Sequence, residues 1–210
     1  MRVLLISLAL LTFAVAALGG VSATPAPPLP DLEVLWENPY DYELLYTALA
    51  SHGYYHTMDL FTLENAGVVK GFECWFFYNY DYPVPFNAAI RHDNNGWPGD
   101  GLWTARITDV TNTFTGDEWW GEDDWFEDSG VYHTLLLLEE EDYVLIEAGR
   151  PFWLKLQSTD YGAWCCEEGG TAYYNGEIYD LSTFFTILGT PSGGNVESAS
   201  WGEIKAGFSE

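Results

Sequence analysis

The sequence predicts an all-β protein, an antiparallel β-sandwich of the jelly-roll type that forms a single domain. Short runs rich in β-branched and aromatic residues dominate it, turn residues separate these runs, and no stretch keeps the 3.6-residue period of a helix. The 210 residues include 10 Trp, 14 Tyr and 12 Phe, which supply enough large apolar side chains for a packed core.

The N-terminal segment is typical of an export signal. Met1 and Arg2 precede a mostly apolar run over residues 3–18, and the small residues Val21-Ser22-Ala23 follow. A membrane anchor is the alternative, but the run is shorter than the roughly 20 apolar residues that span a bilayer, and no basic flank follows it. We therefore expect residues 1–23 to be a signal peptide, the protein to be secreted or extracellular, and the mature chain to have no transmembrane segment.

The rest of the chain divides into three parts. Residues 24–31 contain four prolines, which cannot pair inside a sheet, and form a lead-in. Residues 32–191 form the β-sandwich domain. Residues 192–210 open with Gly193-Gly194-Asn195 and form a polar C-terminal tail.

The β-like runs follow one another through the domain. In the first, most even positions from Val68 to Tyr80 are apolar or aromatic, and the further runs are 86–90, 103–107, 131–138, 152–156 and 183–188. Turn-forming stretches separate them at 82–85, 93–99, 139–142 and 147–151. Strands spaced by such turns, without helices between them, favour an antiparallel sandwich or jelly roll.

Five short motifs occur in a fixed order: Asp59-Leu60-Phe61-Thr62-Leu63, Val68-Val69-Lys70-Gly71-Phe72-Glu73-Cys74-Trp75, Gly96-Trp97-Pro98-Gly99, Ala148-Gly149-Arg150-Pro151-Phe152-Trp153-Leu154 and Asp180-Leu181-Ser182-Thr183-Phe184. In order and spacing they resemble a jelly-roll module of secreted bacterial proteins, over residues 45–190. The resemblance implies a non-catalytic extracellular β-sandwich and carries no functional residues across. The stretch 200–208 is similar to a short ending that recurs on secreted proteins of this kind.

The charge limits the partners. The chain has 7 basic and 32 acidic residues, for a net charge of −25. Such a charge repels phosphate backbones, which excludes nucleic acid, and it disfavours anionic membrane surfaces. The expected partner is an extracellular protein or a glycan.

The most unusual stretch is the segment 115–130, which we interpret as a loop where acids alternate with aromatic residues. Indole rings beside carboxylates suit a sugar, so the candidate ligand-binding residues are Trp119, Trp120 and Trp125. Clustered carboxylates also suit calcium, the one candidate cofactor, with Asp117, Glu122, Asp123 and Asp124 as candidate ligands. A solvated acidic loop whose tryptophans pack on the sandwich edge is the third interpretation.

A second acidic turn, Asp93-Asn94-Asn95-Gly96, does not match a calcium loop. Aligning Gly96 with the glycine of an EF-hand puts Arg91 at the first ligand and Leu102 at the bidentate Glu, so a plain turn is expected.

Cysteine and histidine spacing gives no zinc pattern. His52 and His56 fall in a Gly/Tyr-rich segment and are interpreted as turn or surface residues. An oxidising compartment favours one disulfide, and Cys74 with Cys166 is the candidate pair. A strained bridge between the adjacent Cys165 and Cys166 is the alternative.

No catalytic motif is present. The sequence has no Gly-x-Ser-x-Gly, no His-Glu-x-x-His and no phosphate-binding glycine loop. A carboxylate pair would suffice for glycoside hydrolysis, but with 32 acids such a pair is expected by chance. The sequence therefore favours a secreted, non-catalytic interaction module, and the alternative is a carbohydrate-binding module stabilised by calcium.

Overall fold

A computed structural model describes residues 32–78, 82–118 and 129–192. These residues form thirteen β-strands and two 3-10 turns, Tyr42–Leu44 and Glu140–Asp142, and contain no α-helix. The strands are β1 (Glu33–Asn38), β2 (Thr47–Ala50), β3 (Thr57–Thr62), β4 (Gly67–Tyr78), β5 (Phe86–Asp93), β6 (Pro98–Ile107), β7 (Asp109–Glu118), β8 (Gly130–Leu137), β9 (Val144–Ile146), β10 (Pro151–Ser158), β11 (Ala163–Tyr174), β12 (Glu177–Thr183) and β13 (Phe185–Pro191). The all-β prediction is confirmed, and no helix in this part of the chain is long and apolar enough to cross a bilayer.

The strands pair in two antiparallel layers. The first sheet has the order β1-β13-β4-β8-β7, and β9 continues along β4 beyond β8. The second sheet has the order β12-β11-β3-β10-β5-β6, and β2 lies beside β3 on the same edge of β11. The layers join where β11 pairs with β4, and where β12 and β13 follow one another across Phe184.

The main core lies between the two sheets. Successive side chains of a strand point to opposite faces, so alternate residues share one face. The first sheet contributes Phe72 and Phe76 of β4, and the second contributes Phe152 and Leu154 of β10; all four are at most 1% exposed. This two-layer core confirms the β-sandwich prediction.

A smaller cluster lies on the outer face of the first sheet. Phe77 and Val131 pack there under Leu45, which belongs to the segment between β1 and β2. The ring of Tyr40 stacks on Trp75, with centroids 5.7 Å apart and planes 12° apart. The segment 39–46 therefore covers this face.

One carboxylate is buried at the junction of the sheets. Asp59 is 1% exposed and accepts hydrogen bonds from the Thr183 backbone N–H, from the Thr183 hydroxyl at 2.9 Å and from the Ser182 hydroxyl at 3.2 Å. Burial raises the pKa of Asp59 to about 7, although these hydrogen bonds act to lower it. Asp59 thus ties β3 to the end of β12, where the chain turns into the other sheet.

The structure corrects three sequence-based boundaries. The predicted run 183–188 is divided, because Phe184 ends the β12 pairing before β13 begins. The segment 115–130 is not a loop throughout: its first four residues extend β7, where they continue the β-rich stretch from Asp109, and Gly130 begins β8. Pro98 and Gly99, predicted as turn residues, begin β6 because Pro98 pairs with Asp93.

Candidate binding face on the second sheet

Most of the acidic and aromatic residues singled out in the sequence lie outside the described residues: Trp119, Trp120, Trp125, Glu122, Asp123 and Asp124. Asp117 is described, at the end of β7, where its carboxylate accepts hydrogen bonds from the Tyr40 hydroxyl and the Thr115 hydroxyl, each at 3.0 Å. Asp117 thus anchors the segment that covers the first sheet. Within the described ranges, no group of three or more His, Cys, Asp or Glu side chains could hold a metal ion. Calcium binding by these acids stays a prediction.

The three cysteines are free, fully buried thiols in the structure. Burial raises the pKa of each thiol well above its ordinary value. The Cys166 thiol donates to the Trp164 carbonyl at 3.1 Å, and Cys74 lies 3.8 Å from the Thr134 carbonyl. The pairing of Cys74 with Cys166 stays a prediction.

A cluster of basic residues lies on the outer face of the second sheet. Phe86, Ala88 and Ile90 of β5 face the core, so Arg91 faces outward; the same alternation turns Lys155 of β10 outward. Arg106 of β6, opposite Asn87, lies on the same outer face. Three of the five basic residues in the described part of the chain are therefore on one face, which we call the cationic face.

Two of these cations, Arg91 and Lys155, are half-buried and have no carboxylate partner among the residues that the structure describes. The ion pairs among the described residues are Arg150 with Glu147 at 2.7 Å and His133 with Glu73 at 3.4 Å, and neither involves Arg91 or Lys155. Burial, followed by the charge of Arg91, lowers the pKa of Lys155.

His56 lies within the field of the same two cations. Burial lowers the pKa of its imidazole first, and the charges of Lys155 and Arg91 lower it further. The three groups therefore form one electrostatic cluster, although His56 directly precedes β3, Arg91 belongs to β5 and Lys155 belongs to β10.

Buried side chains form the floor of the cationic face. Met58 is 5% exposed and Trp153 is fully buried, although both point away from the main core. The Trp153 indole N–H donates to the Asp93 carboxylate at 2.9 Å, and that carboxylate also accepts the Gly96 backbone N–H at 3.1 Å. Asp93 therefore holds the turn after β5 against the face.

This turn presents an exposed indole ring. Trp97 is 48% exposed, and its ring meets Tyr173 of β11 edge to face, with centroids 6.5 Å apart. Since β11 lies two strands beyond β10, Trp97 reaches back across the sheet. The two rings form one wall of the cationic face.

The backbone of the segment before β3 borders the cationic face. The Gln157 amide donates to the carbonyls of Gly53 at 2.9 Å and Tyr55 at 2.8 Å, which holds residues 53–56 over the end of β10. Tyr55 is 43% exposed, and its ring lies parallel to that of Tyr174, with planes 7° apart and centroids 6.3 Å apart. Tyr173 points to the cationic face, so Tyr174, the next residue of β11, points to the opposite face together with the Tyr55 ring. Ring contacts continue from Tyr55 through His52 to Tyr161, and from Tyr174 to Tyr179.

The basic residues of this face can be picked out one by one in the sequence, but their proximity cannot. Lys155 stands in an apolar alternation, Phe-Trp-Leu-Lys-Leu-Gln-Ser, which marks it as an outward residue. In the sequence, Arg91 stands out only because it does not fit the first ligand position of a calcium loop. The strand order brings these two positions together, and residues 64 apart in the chain do not reveal that order.

The arrangement suits recognition of a polar, partly flat ligand. The guanidinium of Arg91 and the ammonium of Lys155 are hydrogen-bond donors with formal charge, and the surrounding rings offer apolar faces. No protein-family model matches the chain, and a search of curated proteins finds no significant match. The likeness to a secreted jelly-roll module stays a prediction.

Proposed function

We propose that the chain is a secreted, non-catalytic interaction module of the carbohydrate-binding type, and that the cationic face is its binding surface. One observation carries the proposal: Arg91 and Lys155 are half-buried without a carboxylate partner among the described residues, on a face that also presents the exposed ring of Trp97. Removing a cation from water costs free energy unless an anion or hydrogen-bond acceptor compensates for it. A bound ligand would supply that acceptor.

The aromatic wall formed by Trp97 and Tyr173 favours a sugar as the ligand. A sugar ring has apolar C–H faces that stack on flat aromatic rings, and hydroxyl groups that bond to polar side chains around them. Trp97, with the ring of Tyr173 against it, offers such a face beside the basic centre. An extracellular protein is the alternative partner, and binding of that protein would not require a soluble glycan.

Extracellular location and the absence of catalysis rest on the sequence. The N-terminal segment has the pattern of an export signal, and no motif of a known hydrolase chemistry accompanies the carboxylates. A binding role agrees with both.

Titration with glycans tests the proposal. Isothermal calorimetry with a panel of soluble neutral and acidic polysaccharides should give saturable binding of at least one member. Trp97→Ala should weaken that binding by roughly tenfold, because it removes the exposed stacking ring. Phe114→Ala is the matched control, since Phe114 is equally exposed at 48% but lies on β7 of the other sheet.

Two results would contradict the proposal. One is the absence of binding by every glycan in the panel. The other is an equal loss of affinity in both variants, which would place the contact away from the cationic face.

Calcium binding near Asp117 is a separate proposal with its own test. If Asp117, Glu122, Asp123 and Asp124 hold calcium, adding calcium to chelator-treated protein should raise the Tm, because the ion binds the folded state. An unchanged Tm at millimolar calcium would contradict it.

A further inference from the structure

We infer that the cationic face selects acidic glycans, with Arg91 and Lys155 together holding the carboxylate of a uronic acid unit. This inference rests on the proposed function and names its ligand class.

The strand register brings the two cations to one place. Lys155 of β10 lies opposite Ala89 of β5, and Arg91 is two residues further along β5 on the same face. Such diagonal neighbours have Cα atoms roughly 7–8 Å apart, within the reach of two long side chains. One carboxylate between them can therefore contact both.

The chemistry of the pair favours a carboxylate over a neutral hydroxyl. The planar guanidinium of Arg91 presents parallel N–H donors that match the two oxygens of a carboxylate, and the ammonium of Lys155 adds a point charge. A neutral sugar would leave two half-buried positive charges without compensation.

The charge of the whole chain restricts how many anionic groups the ligand carries. The cationic face has three basic side chains, and the chain around it has a net charge of −25. A densely charged polymer such as a sulfated glycan would meet repulsion from the remaining surface. Carboxylates at intervals along a neutral sugar chain can meet the basic residues without that repulsion.

The rings of Tyr173 and Trp97 are the positions where further units of the sugar chain can stack. Tyr173 pairs with Met58 of β3, and Met58 pairs with Lys155, so Tyr173 lies two strands from Lys155. Two strand spacings are roughly 10 Å. A sugar ring stacked on Tyr173 or Trp97 can therefore belong to the same chain as a carboxylate held at Lys155.

Paired probes that differ only at the carboxyl group test the inference. Oligosaccharides of glucuronoxylan and of hyaluronate are titrated into the intact protein, each beside the same oligosaccharide with its carboxyl groups reduced to alcohols. We expect at least one acidic form to bind roughly tenfold or more tightly than its reduced form.

Variants then locate the contact. Arg91→Gln and Lys155→Met should each remove most of the preference for the acidic form. Arg150→Gln is the matched control, because Arg150 is already paired with Glu147 in the turn before β10, and it should keep the preference. Lys155→Arg conserves the charge and should also keep the preference for the acidic form. If Lys155→Met does not fold, Lys155→Arg is the variant used to examine this position.

The outcomes separate this inference from the proposed function. If reduced or neutral glycans bind as tightly as the acidic forms, the inference fails and the proposed function stands. If no glycan of either kind binds, both fail. Tighter binding of dextran sulfate, or of a poly-glutamate peptide, would overturn the assignment to uronic acid.

Discussion

At the scale of single residues, the buried Asp59 links folding to pH. Burial raises its pKa from the ordinary value of 3.8 to about 7, so the folded state holds the proton more tightly than the unfolded state does. Its contribution to stability is therefore fully present below about pH 4 and is lost as the pH rises toward 7. The pKa difference corresponds to a free energy on the order of 4 kcal/mol.

Asp59→Asn should flatten the pH dependence of unfolding between pH 4 and 7, since the amide does not titrate. Urea midpoints across this range measure the effect. Asp109→Asn, which changes an exposed carboxylate of β7, should leave the wild-type slope in place. Equal slopes in all three proteins would show that Asp59 does not carry the dependence.

The cysteines give a second prediction at this scale. Cys74, Cys165 and Cys166 are fully buried, and burial raises the pKa of each, so the native protein should not react with a thiol reagent at pH 8. Fast labelling of the native state would contradict this burial. After denaturation, three reactive thiols are expected from the structure, whereas a bridge between Cys74 and Cys166 would leave one.

At the scale of the elements, β13 packs so closely on β4 that one position, Gly189, has no room for a side chain. A Cβ built on Gly189 would lie 2.0 Å from the Val68 carbonyl oxygen, at the point where the β13–β4 register shifts. Gly189→Ala should therefore lower the free energy of unfolding by at least about 2 kcal/mol. Chemical denaturation measures the change.

Gly101→Ala is the control for this element. Gly101 of β6 has no heavy atom within 4 Å of its built Cβ, so the substitution should change stability by less than about 1 kcal/mol. Similar losses in both variants would mean that contact with β4 is not the cause.

The sequence predicts those strands in which apolar and polar residues alternate regularly, and it does not predict the others. The runs at 86–90 and 152–156 correspond to β5 and β10, whose apolar residues face one core. β7 was not predicted because its residues are mostly exposed and polar, which removes the apolar alternation. The break at Phe184 depends on pairing with two different sheets, which no local pattern encodes.

The cationic face shows the same limit for the site. Alternation alone predicts that Lys155 points outward, yet its proximity to Arg91 depends on the register between β10 and β5. The sequence predicted a site where acids and tryptophans are dense. In a chain of this charge, a pair of half-buried cations is the rarer arrangement and therefore the more informative one.

At the scale of the whole molecule, the net charge of −25 acts against the compact state. Raising NaCl from 10 mM to 500 mM should therefore increase the Tm by several degrees, because salt screens repulsion between exposed carboxylates. KCl should act equally, since screening depends on ionic strength. A Tm that is constant or lower in salt would contradict this account of the surface.

The central claim is that the outer face of the second sheet binds sugar. Amide chemical-shift mapping with glucuronoxylan oligosaccharides tests it most directly, because it reports where the ligand lies without any substitution. We expect the largest shifts at Arg91, Trp97, Lys155 and Tyr173, and little change at Phe114 and His133 of the first sheet. Shifts confined to the first sheet, or none at saturating oligosaccharide, would contradict the claim.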